Sequence, residues 1–199
     1  MSSVSRDVSP ILAIAFVGRQ NSGKTTLLVQ VVAELVSRGV RVGTVKHHSH
    51  AGFEFDIEGK DSWRHRQAGS SYTVVAAPDQ MASVRSLAAE LSLERIVAEM
   101  RTLARDEEGN PTLDIILVEG YRHGGLPTIE LFRAANPNDA DRALGGEGND
   151  IVAVVTDIER VAAEAKAQTP PRPVFAFSDI AGIANFVLGR CASSASLAP

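Results

Sequence analysis

The chain has 199 residues, a formal net charge of −4 and a single cysteine, with 44% hydrophobic and 22% charged residues. This is enough apolar material for one sizeable core; it excludes an internal disulfide framework and any global basic field for nucleic acid or an anionic membrane. No apolar run approaches the ~20 residues of a membrane span, so the expectation is a cytoplasmic protein with no nucleic-acid or membrane partner.

Residues 1–10 are polar and read as a flexible tail. Leu12 to Val17 is a continuous apolar run stopped by Gly18, the pattern of a fully buried strand. Leu27, Leu28, Val31, Val32 and Leu35 recur at helical spacing between Lys24 and Arg38, and Gly39 suits the helix end. Val40 to Lys46 reads as a second strand, His47 to Asp61 as a polar loop, Ser62 to Ala68 as a short helix and Thr73 to Ala77 as a third strand. The period returns to helical from Leu93 to Arg105.

"LDIILVE", Leu113 to Glu119, is another buried strand. "TIELF", Thr128 to Phe132, follows too soon for an ordinary parallel crossover, which takes a dozen or more residues. It is expected to run antiparallel or to leave the sheet. Asn136 to Asn149 is a Gly/Asp/Asn-rich loop. Ile151 to Thr156 and Val174 to Phe177 are the last strands; Asp157 and Ser178 are placed to cap the helices after them, to Lys166 and from Asp179 to Leu188. Strands alternating with helices predict an α/β fold with a mostly parallel sheet flanked by helices, one strand of it antiparallel. With Gly18 to Thr25 matching G-x-x-x-x-G-K-[ST] directly after the first strand, the expected organisation is one phosphate-loop NTPase domain over 11–189, with a second flexible tail over 190–199.

Gly18-Arg19-Gln20-Asn21-Ser22-Gly23-Lys24-Thr25 matches G-x-x-x-x-G-K-[ST] between a buried strand and a helix, the context the motif requires. The glycines let the backbone curl so that successive N–H groups face phosphate oxygens, and the helix adds its own free N–H groups and positive dipole end. Lys24 would reach the β- and γ-phosphates, Thr25 would ligate Mg²⁺, and Thr26 continues the loop into the helix. Arg19 stands where some dimeric phosphate-loop proteins carry a basic residue that reaches the partner's nucleotide.

Mg²⁺ takes hard oxygen ligands. Of the two acids in "LDIILVEG", Asp114 starts the strand and Glu119 ends it beside the nucleotide edge, so Glu119 is the metal and catalytic candidate. The loop "KHHSHAGFEFDIEGKDS" supplies Lys46, His47, His48, His50, Asp56, Lys60 and Asp61. Asp56 could complete the Mg²⁺ shell, Lys46 could neutralise phosphate or substrate, and Asp61 or Ser62 could instead cap the next helix. For the base, the usual N-K-x-D pattern is missing; Asp157 and Asp179 sit where late loops of such a sheet meet it, each with a capping role as the alternative. The residues by themselves do not separate GTP from ATP.

"GRQNSGKTTL", "VKHHSHAGFEFDIEGKDSWRHRQAGS", "LDIILVEGYRHGGLPTIELFR", "IVAVVTD" and "FSDIAGIANFV" together resemble, in order, the molybdopterin-guanine dinucleotide biosynthesis protein B family. The resemblance covers nearly the whole chain. It implies a homodimeric GTP-binding adapter with bound Mg²⁺ and weak GTPase activity, working with the molybdopterin guanylyltransferase (protein A of the pathway) and with molybdopterin. It places Gly18 to Thr26 on the nucleotide, makes Lys24, Thr25, Asp56 and Glu119 catalytic or metal-binding, and puts Lys46, His47, Lys60 and Asp61 on the family's signature loop. The histidine loop and "AANPNDADRALGGEGND" are the stretches least typical of it. Two other readings come from the residues: a metal-centre maturation GTPase using the histidine loop, and an ATP-dependent small-molecule ligase resembling dethiobiotin synthetase, motivated by "VEG".

Overall fold

A computed structural model describes residues 11–48, 50, 52–122, 124–145 and 150–195. Its chain divides into two units, 1–47 with 93–199, and 48–92.

The larger unit is built on β1 (Leu12–Val17), β2 (Val42–Lys46), β5 (Ile115–Glu119), β6 (Pro127–Phe132), β7 (Asp150–Thr156) and β8 (Val174–Phe175). They form a six-stranded sheet in the order β2-β5-β1-β6-β7-β8, with every pairing parallel. The period-2 geometry of β1 sends Ile14 and Phe16 to one face and Ala13, Ala15 and Val17 to the other. Helices α1 (Lys24–Ser37) and α5 (Ile180–Ala195) close the first face through Leu27, Val31, Leu35, Ile183 and Val187. Helices α3 (Leu93–Leu103) and α4 (Glu159–Lys166) close the second, through Leu93 and Val97 and through Val161 and Ala165. Burial on both faces explains why β1 and β5 are almost wholly apolar.

The strand "TIELF" is parallel to β1, not antiparallel: Phe16 pairs with Ile129 and Val17 with Glu130. The crossover rule misled because this connection holds no helix among its described residues. Strands this short span roughly 17 Å, and reaching the far side of β1 adds two strand spacings of about 4.8 Å. At a maximum reach of ~3.3–3.6 Å per residue, the short stretch between β5 and β6 can span that even though it turns at Gly120, Tyr121 and Gly125, and Tyr121 and Leu126 pack on the α3 face.

Helix starts also differ from expectation. Ile158, not Asp157, takes the N-cap position of α4, and no side chain caps it. At α5 the capping alternative for Asp179 holds and Ser178 does not serve: Asp179 Oδ1 accepts from the Gly182 N–H at 2.9 Å. Helix α5 continues to Ala195, past the expected end at Leu188 and into the segment read as a tail. The N-terminal tail, 1–10, lies outside the described residues.

The smaller unit holds α2 (Asp61–Gln67) and a hairpin of β3 (Tyr72–Ala76) with β4 (Met81–Arg85), paired antiparallel. Strand β4 was not foreseen. Lys60 occupies the cap position of α2 without a side-chain bond, so neither Asp61 nor Ser62 caps it.

Candidate functional site

The sheet delivers its chemistry at the C-terminal ends of β1, β5 and β2. Beyond Val17 the chain bends into 18–23, with Asn21 at φ 65° and Gly23 at φ 79°. Glycine takes the left-handed region without cost and asparagine tolerates it. Gly18 is needed for a different reason: a Cβ there would lie 3.1 Å from the Leu131 carbonyl oxygen and 3.3 Å from Ser22 Cβ. Gly23 precedes α1 and offers no side chain to cap it, so the N–H groups of the first turn are left for a ligand.

Arg19, Gln20, Asn21, Thr25 and Thr26 are exposed, Lys24 is half-buried, and Ser22 is fully buried. The Lys24 ammonium donates to the Arg19 carbonyl at 2.6 Å, across the mouth of its own loop. Burial lowers its pKa, and the Lys46 and Arg122 cations push the same way against Glu119 and Asp139. A desolvated lysine among cations favours a polyanion.

Glu119 ends β5 with 4% of its surface exposed. Its Oε1 accepts from Thr25 Oγ1 at 2.7 Å and from the Lys46 ammonium, which stands opposite it in register on β2. Lys46 Nζ also lies 3.4 Å from Thr25 Oγ1. Two hard oxygens therefore converge where one cation already sits, a donor set that fits Mg²⁺ completed by phosphate and water. Gly120 follows at φ 96°, where a Cβ would come within 2.8 Å of His47 Cβ; the His47 N–H donates to the Glu119 carbonyl, and its ring lies 4.3 Å from that of Tyr121. The "VEG" sequence is thus a strand end that must turn hard beneath His47.

The structure brings together Gly18 to Thr26, Lys46, His47 and Glu119. Asp157 accepts from the Ala134 N–H and lies 3.9 Å from Arg133 Nε, while Asp179 is engaged at the start of α5. Asp56, Lys60 and Asp61 belong to the smaller unit. There Asp56 Oδ1 accepts from the Ile57 N–H at 2.9 Å and from Ser62 Oγ at 3.0 Å. His48 and His50 are 5.8 Å apart edge to face, and no group of three or more metal-binding side chains occurs among the described residues.

Sequence reasoning missed what lies behind the loop. Ser22 Oγ donates to Asp139 Oδ2 at 2.6 Å; Asn136 Nδ2 donates to the Gln20 carbonyl at 3.0 Å and to Ser22 Oγ and Asp139 Oδ2, each at 3.1 Å. Arg142 joins Asp139 to Glu130, at 3.1 and 2.7 Å, and stacks 3.7 Å from the Phe132 ring centroid. One signal was available: Glu130 is a charge inside an otherwise apolar buried strand, and such a charge calls for a partner. Also missed was Arg133, whose guanidinium covers the Phe177 ring at 4.4 Å and would meet a Cβ on Gly23 at 3.1 Å.

A phosphate loop does not by itself name a family, but comparison with known proteins does. Residues 13–157 match the family described as Molybdopterin guanine dinucleotide synthesis protein B. The chain belongs to this family. It is 30% identical over 177 residues to the molybdopterin-guanine dinucleotide biosynthesis adapter protein of Escherichia coli, covering 88% of this chain and 90% of that one. The adapter protein of Haemophilus influenzae is 38% identical over 125 residues, 62% of this chain and 64% of that one. Among solved structures, Bacillus subtilis MobB superposes with a TM-score of 0.66 at 23% identity, over 90% of this chain and 97% of that one. The MobB homologue of Bacillus stearothermophilus gives 0.60 at 24%, over 91% and 98%. These two likenesses establish the MobB fold. Among the described residues, no helix is long and apolar enough to cross a membrane.

Proposed function

We propose that this MobB-family protein is a GTP-binding adapter in the synthesis of molybdopterin guanine dinucleotide, assisting the guanylyltransferase that attaches GMP to molybdopterin. The observation that carries the nucleotide half of this reading is the loop 18–25, with left-handed turns at Asn21 and Gly23, a desolvated Lys24 at its mouth and Thr25 hydrogen-bonded to Glu119. The pathway half rests on family membership.

In this reading the loop N–H groups and Lys24 hold the β- and γ-phosphates, and Lys24 leaves the Arg19 carbonyl to do so. Thr25 and Glu119 would hold Mg²⁺, which would supply neutralising charge for those phosphates. Lys46, released from Glu119, becomes free to meet phosphate or substrate. Asp56 joins this shell only if the smaller unit presents it. Assisted GTPases reach roughly 5–20 per second by adding a water-orienting residue and an arginine donor. Neither is assigned among the described residues, and the reading is of slow turnover by the protein itself, which works mainly as a loaded adapter. A second copy presenting Arg19 would make the working form a homodimer.

The test is a calorimetric titration of GTP against ATP, with and without Mg²⁺, repeated with the guanylyltransferase and molybdopterin. The expected result is a preference for GTP that strengthens in the assembly. Preference for ATP, with phosphoryl transfer to a carboxylic acid, would replace the adapter by the ligase reading.

A further inference from the structure

The buried cluster behind the phosphate loop does more than fill space. Gln20, at the loop's outer turn, has its carbonyl turned inward onto Asn136 Nδ2. In a planar trans peptide the C=O and the following N–H point in opposite directions. Holding the Gln20 carbonyl at the back therefore aims the Asn21 N–H towards the front, where a phosphate would lie. Ser22 is tied in the same way: its hydroxyl donates to Asp139 and accepts from Asn136, and it is the one fully buried side chain among the variable positions of the loop.

These tethers are themselves anchored. Asp139 is fully buried, ends the short 3-10 turn Pro137–Asp139 and accepts from the Arg133 N–H at 3.0 Å, just past β6. Arg142 carries the chain of contacts on to Glu130 and Phe132 within β6. The loop is thus fastened to the central sheet at both ends, through β1 directly and through β6 by way of 136–142.

We propose that Asn136 and Asp139 are positioning residues of the nucleotide site, which hold the phosphate loop in its phosphate-ready curl before ligand arrives. The proposal rests on the nucleotide reading above. Neither residue touches the nucleotide; each acts through Gln20 and Ser22. A loop whose ordering is complete in the free protein loses less freedom on binding, and the gain appears as affinity for any polyphosphate, whatever its base.

The experiment compares the wild type with Ser22→Ala and Asn136→Ala. Affinity is read by calorimetry for GTP and for inorganic tripolyphosphate, and hydrogen exchange is read over 18–26 without ligand. One lost hydrogen bond corresponds to about a three- to tenfold weakening. That loss should be the same for both ligands, with faster exchange confined to the loop. If a variant keeps wild-type affinity for tripolyphosphate while its thermal stability falls, the cluster is a structural filler and the proposal is overturned. A loss for GTP alone would move the effect to the base and also overturn it. If the wild type binds neither ligand, the nucleotide reading fails and exchange alone decides the tether: acceleration over 18–26 sustains it, unchanged exchange ends it.

Discussion

The phosphate loop has two sides made of different kinds of contact. On its ligand side, long side chains rest on provisional partners: Lys24 on its own loop's Arg19 carbonyl, and Lys46, whose side chain is 61% exposed, on Glu119. On its far side, the short side chains of Ser22, Asn136 and Asp139 bond one another out of solvent. The first set can be exchanged for phosphate and metal at little cost, because each cation trades one oxygen partner for another. The second cannot be exchanged, because a buried group stripped of its partner pays the whole desolvation penalty. A loop that must keep its shape and still admit a highly charged ligand needs both.

The largest expected effect tests the far side. Asp139→Ala removes the acceptor of Ser22 and of the Arg133 N–H and takes one of two carboxylate partners from Arg142, which keeps Glu130, the Leu131 carbonyl and the Phe132 ring. Breaking a buried charged network in this way costs about 3–5 kcal/mol, or roughly 6–20 °C in Tm for a domain of this length. Thermal unfolding measures it; a Tm within a degree or two of wild type would mean that the two sides do not differ as described.

Next comes the ligand side. Lys24→Ala should weaken GTP binding tenfold or more, on about 1.5–3 kcal/mol for a charge-assisted contact, while Tm barely moves because the Arg19 carbonyl still accepts from the Ser22 N–H. Unchanged affinity in calorimetry would take Lys24 out of the site. Smaller and more selective effects are expected at the proposed metal donors. Thr25→Ala and Glu119→Ala should weaken binding measured with Mg²⁺ by more than binding measured in chelator, and equal losses would dissociate the pair from the metal.

The same contrast explains what was legible in the sequence. β1, α1 and β5 were readable because burial on both faces leaves nearly unbroken apolar runs, and the helical period of Leu27, Val31 and Leu35 is unmistakable. The grouping of Gly18 to Thr25 with Glu119 was readable because the motif has fixed spacing between β1 and α1 and Glu119 ends the neighbouring β5, where it meets Thr25. The far side was not. Its members come from 22, 130 and 136–142, and only the fold brings those together; a polar segment such as "NPNDADR" looks the same whether it ends in solvent or beneath a loop. Strand β4, "MASVR", escaped because its side chains are mostly exposed and carry no apolar alternation. The orientation of β6 escaped because a spacing rule calibrated on helical crossovers was applied to a short, turning connection with no helix among its described residues.

The smallest predicted effect reads the far side through pH. Burial raises the Glu130 carboxyl above its ordinary 4.5, against the opposing pull of the Gly145 N–H and Arg142, and burial likewise lowers Arg142. For this pair, loss of water therefore outweighs mutual attraction. Between 4.5 and the raised value the folded chain keeps a proton that the unfolded chain has lost. The stability this group contributes is then complete below 4.5 and declines as pH rises through its folded value. Glu130→Gln keeps an acceptor for the Gly145 N–H and never ionises, so denaturant unfolding from about pH 4 to pH 7 should show the variant gaining on the wild type as pH rises. GTP affinity should not follow that trend, since two side chains, Arg142 and Asp139, stand between Glu130 and Ser22 of the loop. A wild type that gains on the variant across the same range would show that the Arg142 pair, not desolvation, governs the cluster, and the contrast between an exchangeable ligand side and a costly far side would lose its electrostatic basis.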